Sequence, residues 1–287
     1  MSQGSGDEMQ MAKGLRTPKG PASPPYTNGP YEMSEALVLN YPVVEGSKRY
    51  VLEENFNQLP ALNAVVNAPF TDADATAAAN GVITVASNAA NRNFEIVGTH
   101  AVTASTLFGI AVGAIELVTA GADNDQTIIC PHLDADQTAW SEILWGTENQ
   151  TCWEAVIKTD SAILTTLLFA GLKQTNTPVI ATDDEQAFFR FSTDDSDTTW
   201  RCIASIAGVD VNQDSGVTVK ASTIYYFRIE IDSSRQAHFF INNKEVYRSE
   251  ALTNDKDFIP YVGVQALAGA ARSVWVAKEK ISRYIYE

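Results

Sequence analysis

The feature that most limits what this chain can become begins at Asn93. From there to the C-terminus, short runs rich in Val, Ile, Thr and aromatic residues alternate with clusters of turn formers. The runs are "FEIVGT" (94–99), "LFGIAVGAIELVTA" (107–120), "QTIICPH" (126–132), "CWEAVIKT" (152–159) and "TLLFAGLK" (166–173). They continue with "QAFFRFST" (186–193), "TWRCIASIAG" (199–208), "TIYYFRIEID" (223–232), "QAHFFINN" (236–243), "FIPYVGVQAL" (258–267) and "SVWVAKEKISRYIYE" (273–287). Between them stand "GADND", "TDDE", "TDDSD", "NQDSG", "DSSR" and "TNDKD", whose Asp, Asn, Ser and Gly residues bend the backbone. Strands that recur at intervals of roughly 8–14 residues, with no amphipathic helix between them, cannot make parallel crossovers. They predict an all-β fold, an antiparallel jelly-roll β-sandwich. No fixed period recurs, which argues against a propeller or solenoid.

The chain before this body is different in kind. Residues 1–44 read as an extended Pro/Gly-rich N-terminal arm, because "TPKGPASPPYTNGPY" (17–31) holds five prolines. Each proline fixes φ and removes a backbone donor, so neither a helix nor a central strand persists there. Tyr26, Tyr31, Leu37 and Leu39 are the apolar anchors by which such an arm orders against a partner. Residues 45–90 are transitional, with a short helix expected over 72–79, closed by Asn80-Gly81, and a strand in "GVITVAS". The sandwich proper is placed at residues 91–287.

Composition narrows the partners. The chain carries 35 Asp plus Glu against 20 Lys plus Arg, a net charge of −15, and a surface of that sign repels a phosphate backbone. Nucleic acid is therefore not an expected partner. The most apolar run, "LFGIAVGAI", is too short to span a bilayer, and the first residues lack the apolar core of a signal peptide, so neither a membrane nor export is expected. The three cysteines, Cys130, Cys152 and Cys202, are widely spaced and form no CxxC pair. They read as reduced, mostly buried thiols.

In "TIYYFRIEID", Tyr225, Phe227, Ile229 and Ile231 alternate with Tyr226, Arg228, Glu230 and Asp232, giving one apolar and one polar face. His238 and Phe240 share a face, opposite Phe239 and Ile241, and Asn242-Asn243 closes a tight hairpin into "EVY". Phe240 and Ile231 are both expected to be positions where an acid would ruin the domain. The hairpin "YYFRIEID–SSRQ–AHFFINNKEVY" resembles those of concanavalin A-like (laminin G-like) jelly-roll sandwiches. The wider run of phrases from "AGADNDQTIICPHLDADQTAW" to "SVWVAKEKISRYIYE" is similar to virion-associated proteins of tailed bacteriophages. That likeness covers residues 91–287 and implies a structural or binding protein of a phage particle.

Three chemistries bear on a β body of this kind. Glycanases of the sandwich superfamily place carboxylates as E-x-D-x-x-E on one strand, one as nucleophile and one as acid. Glu230 and Asp232 fit, but the last position is Arg235, which can be neither nucleophile nor proton donor. No catalytic residues are expected. Calcium is the one cofactor weighed, because Asp210, Asn212 and Asp214 present alternating oxygens. Against it, Ser215 and Ala221 stand where an EF-hand needs glycine and glutamate. No metal site is otherwise expected, since the three histidines form no ligand pattern. For carbohydrate, Trp140 and Trp145 in "DQTAWSEILWG" are the candidate surface contacts, whereas Trp153 and Trp200 fall inside strand runs and read as core.

Taken with the resemblance, a Pro-rich arm and a β body without a catalytic set imply a non-enzymatic virion structural protein. The expected role is a capsid decoration or cement protein anchored partly by its arm, with the major capsid protein or other virion proteins as partners, and with homo-oligomerisation. The alternative is a tail-fibre or receptor-binding module with lectin-like carbohydrate binding.

Overall fold

The alternation closes into two antiparallel sheets laid face to face. The computed structural model describes residues 49–56, 61–62, 94–98, 114–131, 145–175 and 183–284. The expected arm, with Tyr26, Tyr31, Leu37 and Leu39, lies outside the described residues, as do Trp140 and the helix and strand expected between 72 and 87. The chain divides into two units, 1–51 and 52–287, and of the first only Arg49–Val51 are described.

The strands follow in chain order as β1 Arg49–Glu54, β2 Ala61–Leu62, β3 Phe94–Gly98, β4 Ile115–Val118, β5 Gln126–Pro131 and β6 Trp145–Gly146. Next come β7 Cys152–Thr159, β8 Thr166–Lys173, β9 Gln186–Ser192, β10 Thr199–Ile206 and β11 Val209–Thr218. The last are β12 Ile224–Ile231, β13 Gln236–Ile241, β14 Lys244–Ala251, β15 Asp257–Ala266 and β16 Ser273–Tyr284. Within the second unit one sheet is ordered β16-β7-β12-β13-β14, with β4 also paired to β16. The other is ordered β11-β10-β9-β8-β15-β5-β3-β2, with β6 paired to β15. Neighbours that skip several strands in sequence, such as β8 beside β15, are what a jelly-roll sandwich requires.

The facing read for β12 holds. Tyr225, Phe227, Ile229 and Ile231 are buried, while Tyr226, Arg228 and Glu230 lie half-buried on the outer face. Phe227 meets Phe189 of the opposite sheet in a stacked pair with centroids 4.5 Å apart. Trp200 stands edge-on to Phe227 at 4.8 Å and to Tyr225 at 5.3 Å. Trp153 and Trp200 are both core, as expected. Phe240 is not. It sits half-buried on the outer face with the Arg228 guanidinium 4.0 Å above its ring, so only Ile231 of the two expected positions is interior.

Two-residue turns set the register. Asn242 and Asn243 take φ of 51° and 65° between paired Ile241 and Lys244, as the hairpin reading required. Ala207 and Gly208, at φ 50° and 78°, do the same between Ile206 and Val209. This second turn corrects the sequence reading, which set the bend later, at "NQDSG". Those residues lie inside β11, because a two-residue turn at Ala207-Gly208 already reverses the chain.

The middle of the long sheet is closed from solvent on both faces. Every residue of β8 and β9 is buried, and the face turned away from the short sheet carries its own cluster, including Phe169, Phe188, Ile203 and Tyr261. Gly171, at φ 151°, lets β8 approach β9 closely, since a Cβ there would lie 2.6 Å from the Ala187 carbonyl oxygen and the Phe188 Cα. Glu279 of β16 is fully buried, and its Oε1 accepts a hydrogen bond from Trp153 Nε1 at 3.0 Å. Burial, opposed by that single hydrogen bond, pushes its carboxyl up to about 8.

Candidate functional site

The β9–β10 connection, Thr193–Thr198, and the outer ends of β9, β10 and β11 enclose an open polar hollow of about 300 Å³. Arg190, Asp195, Asp197, Thr199, Arg201, Asn212 and Asp214 line it. Strand register brings them together, because Arg201 pairs with Arg190 on one side and with Asp214 on the other. Two guanidiniums side by side demand anions, and the turn supplies them. Arg190 contacts Asp195 Oδ2 at 2.9 Å through one terminal nitrogen and Asp197 Oδ2 at 3.0 Å through the other. Arg201 Nε donates to Asn212 Oδ1 at 2.7 Å, and a terminal nitrogen lies 3.4 Å from Asp214 Oδ2.

The carboxylates differ in setting. Asp197 is buried beneath Arg190 and also accepts from the Ser192 amide at 3.0 Å. Burial raises its pKa, with Arg190 and that amide pulling the other way. Asp214 is half exposed, and its pKa is lowered chiefly by the Thr199 hydroxyl, 2.6 Å away, and by the Gly216 amide. The hollow therefore offers fixed charge-assisted donors and acceptors at its floor and solvated carboxylates at its rim.

A second polar group sits further along the same face. Lys173 Nζ lies 3.7 Å from Asp183 Oδ2, with both side chains withdrawn from solvent, and faces the rings of Phe188 and Tyr261 at 5.3 and 6.0 Å. Asp183 accepts from the amides of Gln174 and Thr175 at 3.0 and 3.1 Å and from the Thr175 hydroxyl at 2.6 Å. Gln186 Nε2 donates to Ser205 Oγ at 2.7 Å and to Asp210 Oδ1 at 3.1 Å.

These contacts locate the residues read from sequence. Asp210, Asn212 and Asp214 lie in a strand and not in a loop. They occupy alternate positions of strand β11, and each side chain already takes protein donors: Gln186 for Asp210, Arg201 for Asn212, and Thr199 with Gly216 for Asp214. Among the described residues no cluster of three His, Cys, Asp or Glu could hold a metal ion. Trp145 is no surface contact. It lies in β6 opposite Phe258 with 1% of its area exposed. Glu230 pairs with Arg228 at 3.0 Å. Asp232 accepts from the Ser234 and Gln236 amides, 2.8 and 2.9 Å away, and contacts His238 Nε2 at 3.1 Å, so it builds the β12–β13 turn. Sequence reasoning passed over Arg190 and Lys173. The signal that marks them is a lone cation inside an otherwise apolar run, in "QAFFRFS" and "TLLFAGLK".

No family model matches the chain, and no curated protein matches it. Among solved structures it is similar to SO2946, a protein of unknown function from Shewanella oneidensis MR-1. The TM-score is 0.54 at 12% identity, over 90% of this chain and 95% of that one, a likeness of fold. Alginate lyase A1-II', of polysaccharide lyase family 7, gives a TM-score of 0.42 at 14% identity over 60% of this chain and 81% of that one. The carbohydrate recognition domain of Emp46p, in its potassium-bound form, gives 0.42 at 10% identity over 59% and 82%.

Proposed function

We propose that this chain is a non-catalytic structural protein of a tailed-phage virion, its sandwich forming the body of a capsid decoration or cement protein. The observation that supports this most directly is how the charged side chains are used. Glu230 is held by Arg228, Asp232 by a turn and His238, and Arg190 by Asp195 and Asp197. An acid or base in catalysis must be aimed at a reacting atom and hold a tuned proton affinity. Carboxylates already engaged by neighbouring donors fix strand ends and turns in place instead, which suits a building block. The resemblance of residues 91–287 to virion proteins supplies the setting. Quantitative mass spectrometry of purified particles tests it. A copy number comparable to that of the major capsid protein fits decoration, and absence from the particle refutes the reading.

The hollow favours a second reading, carbohydrate binding by a tail-fibre or receptor-binding module. Arg201, Asn212, Thr199 and Asp214 present fixed donors and acceptors within one polar concavity, the complement of a polyol. A glycan screen on wild type and Arg201→Ala decides it. A sugar signal that vanishes in the folded variant supports binding there, and a signal unchanged by the substitution excludes the hollow.

A further inference from the structure

The Lys173–Asp183 pair is poorly explained as a simple ion pair. At 3.7 Å the Nζ–Oδ2 distance exceeds the 2.7–2.9 Å or so of a charge-assisted hydrogen bond, while both side chains are fully withdrawn from solvent. The carboxyl is also held by other means, through the Gln174 and Thr175 amides and the Thr175 hydroxyl at 3.0, 3.1 and 2.6 Å. Those three donors fix its orientation and draw electron density from Cγ, as donors around an acyl centre do. Phe188 and Tyr261 wall the amine at 5.3 and 6.0 Å.

We propose that Lys173 and Asp183 condense to an intramolecular isopeptide bond that staples the end of β8 to the segment entering β9. The ammonium first passes a proton to the carboxylate, leaving an amine and a carboxylic acid. The Nζ lone pair then attacks Cγ. A C–N bond forms, the C–OH bond breaks, and the hydroxyl departs with one amine proton as water. Nothing is oxidised or reduced, and no co-reactant is needed. The product is a neutral amide, so condensation removes both buried charges at once.

Electrostatics agree with this chemistry. Burial, opposed mainly by Asp183, brings the Lys173 amine down to about 8, which leaves a neutral nucleophile accessible near pH 7. Asp210 lies within electrostatic reach of both groups, its own pKa raised by burial. The staple acts within the sandwich and does not rest on the virion reading.

Intact-mass measurement on the full chain tests it, followed by tryptic mapping. The wild type should be one water lighter than its linear sequence. The only basic residues from Thr159 to Arg190 are Lys173 and Arg190. Trypsin should therefore yield one looped peptide, 159–190, uncut after Lys173 and short of one water. Lys173→Arg and Asp183→Ala should each return to the linear mass. A wild-type chain at its linear mass, cleaved normally after Lys173, overturns the proposal. So does a water loss that maps elsewhere. The wild-type measurement decides alone, whether or not the variants fold.

Discussion

Glu279→Gln isolates a single buried proton. In the fold Glu279 keeps its proton to about pH 8, whereas a solvated Glu in the unfolded chain releases it near 4.5. The folded value is raised, so the stability this group supports is complete below 4.5 and is lost as pH climbs toward 8. Each unit climbed removes about 1.4 kcal/mol, so at pH 7 the wild type has lost roughly 3 kcal/mol. Glutamine retains an oxygen to accept from Trp153 Nε1, and its amide stands where the acid's hydroxyl stood. The acid's one O–H is exchanged for an amide with two N–H groups, a cost that does not vary with pH, and titration is abolished. Urea unfolding followed by tryptophan fluorescence, from about pH 4.5 to 9, should give a constant difference between the two proteins at the acid end. From there to pH 7 the variant should gain roughly 3 kcal/mol on the wild type, with the change levelling off above pH 8. Other titrating groups are common to both proteins and cancel in the difference. A difference independent of pH would show that the carboxyl is ionised in the core and refute the reasoning.

Other perturbations follow from the packing. Arg190→Met removes the nearer of the two guanidiniums beside Asp197, leaving Arg201 at 3.9 Å, and should cost about 3 kcal/mol in chemical denaturation. Because burial already raises the pKa of Asp197, that deficit should grow as pH rises from about 4 to 7. Gly171→Ala drives a methyl into the β9 backbone and should lower stability by about 2 kcal/mol or more, read as a fall in Tm. Phe227→Ala removes the ring that Phe189 and Trp200 pack against and should cost about 3–5 kcal/mol.

Much of this fold was legible in the order of residues, because a strand with one dry face records it as alternation. "TIYYFRIEID" is the clear case: its apolar positions are its buried ones. The long sheet hid more. With both faces of β8 and β9 excluded from solvent, alternation no longer separates inside from outside, and Lys173, Gln186 and Arg190 look like surface residues until register joins them to Asp183, Ser205 and Asp197. "DVNQDSG" misled for the opposite reason. Asp and Asn favour turns locally, yet Ala207-Gly208 had already reversed the chain, and β10 imposed extended geometry on what followed. The polar hollow was illegible because it is assembled across three strands.

Strand β11 ends its sheet, and most of its residues are exposed, Val209 at 67% and Val211 at 38%. A bare edge of this kind invites a second molecule to extend the sheet, and in a crowded array lateral fusion would follow. The residues at alternate positions oppose it. Two copies meeting antiparallel about a two-fold at Asn212 would set Asp210 against Asp214 on both sides, and like charges directly opposite repel. Beyond them Gly216, at φ 70°, turns the backbone out of a regular ladder. Two copies brought side by side would therefore resist merging their sheets along this edge.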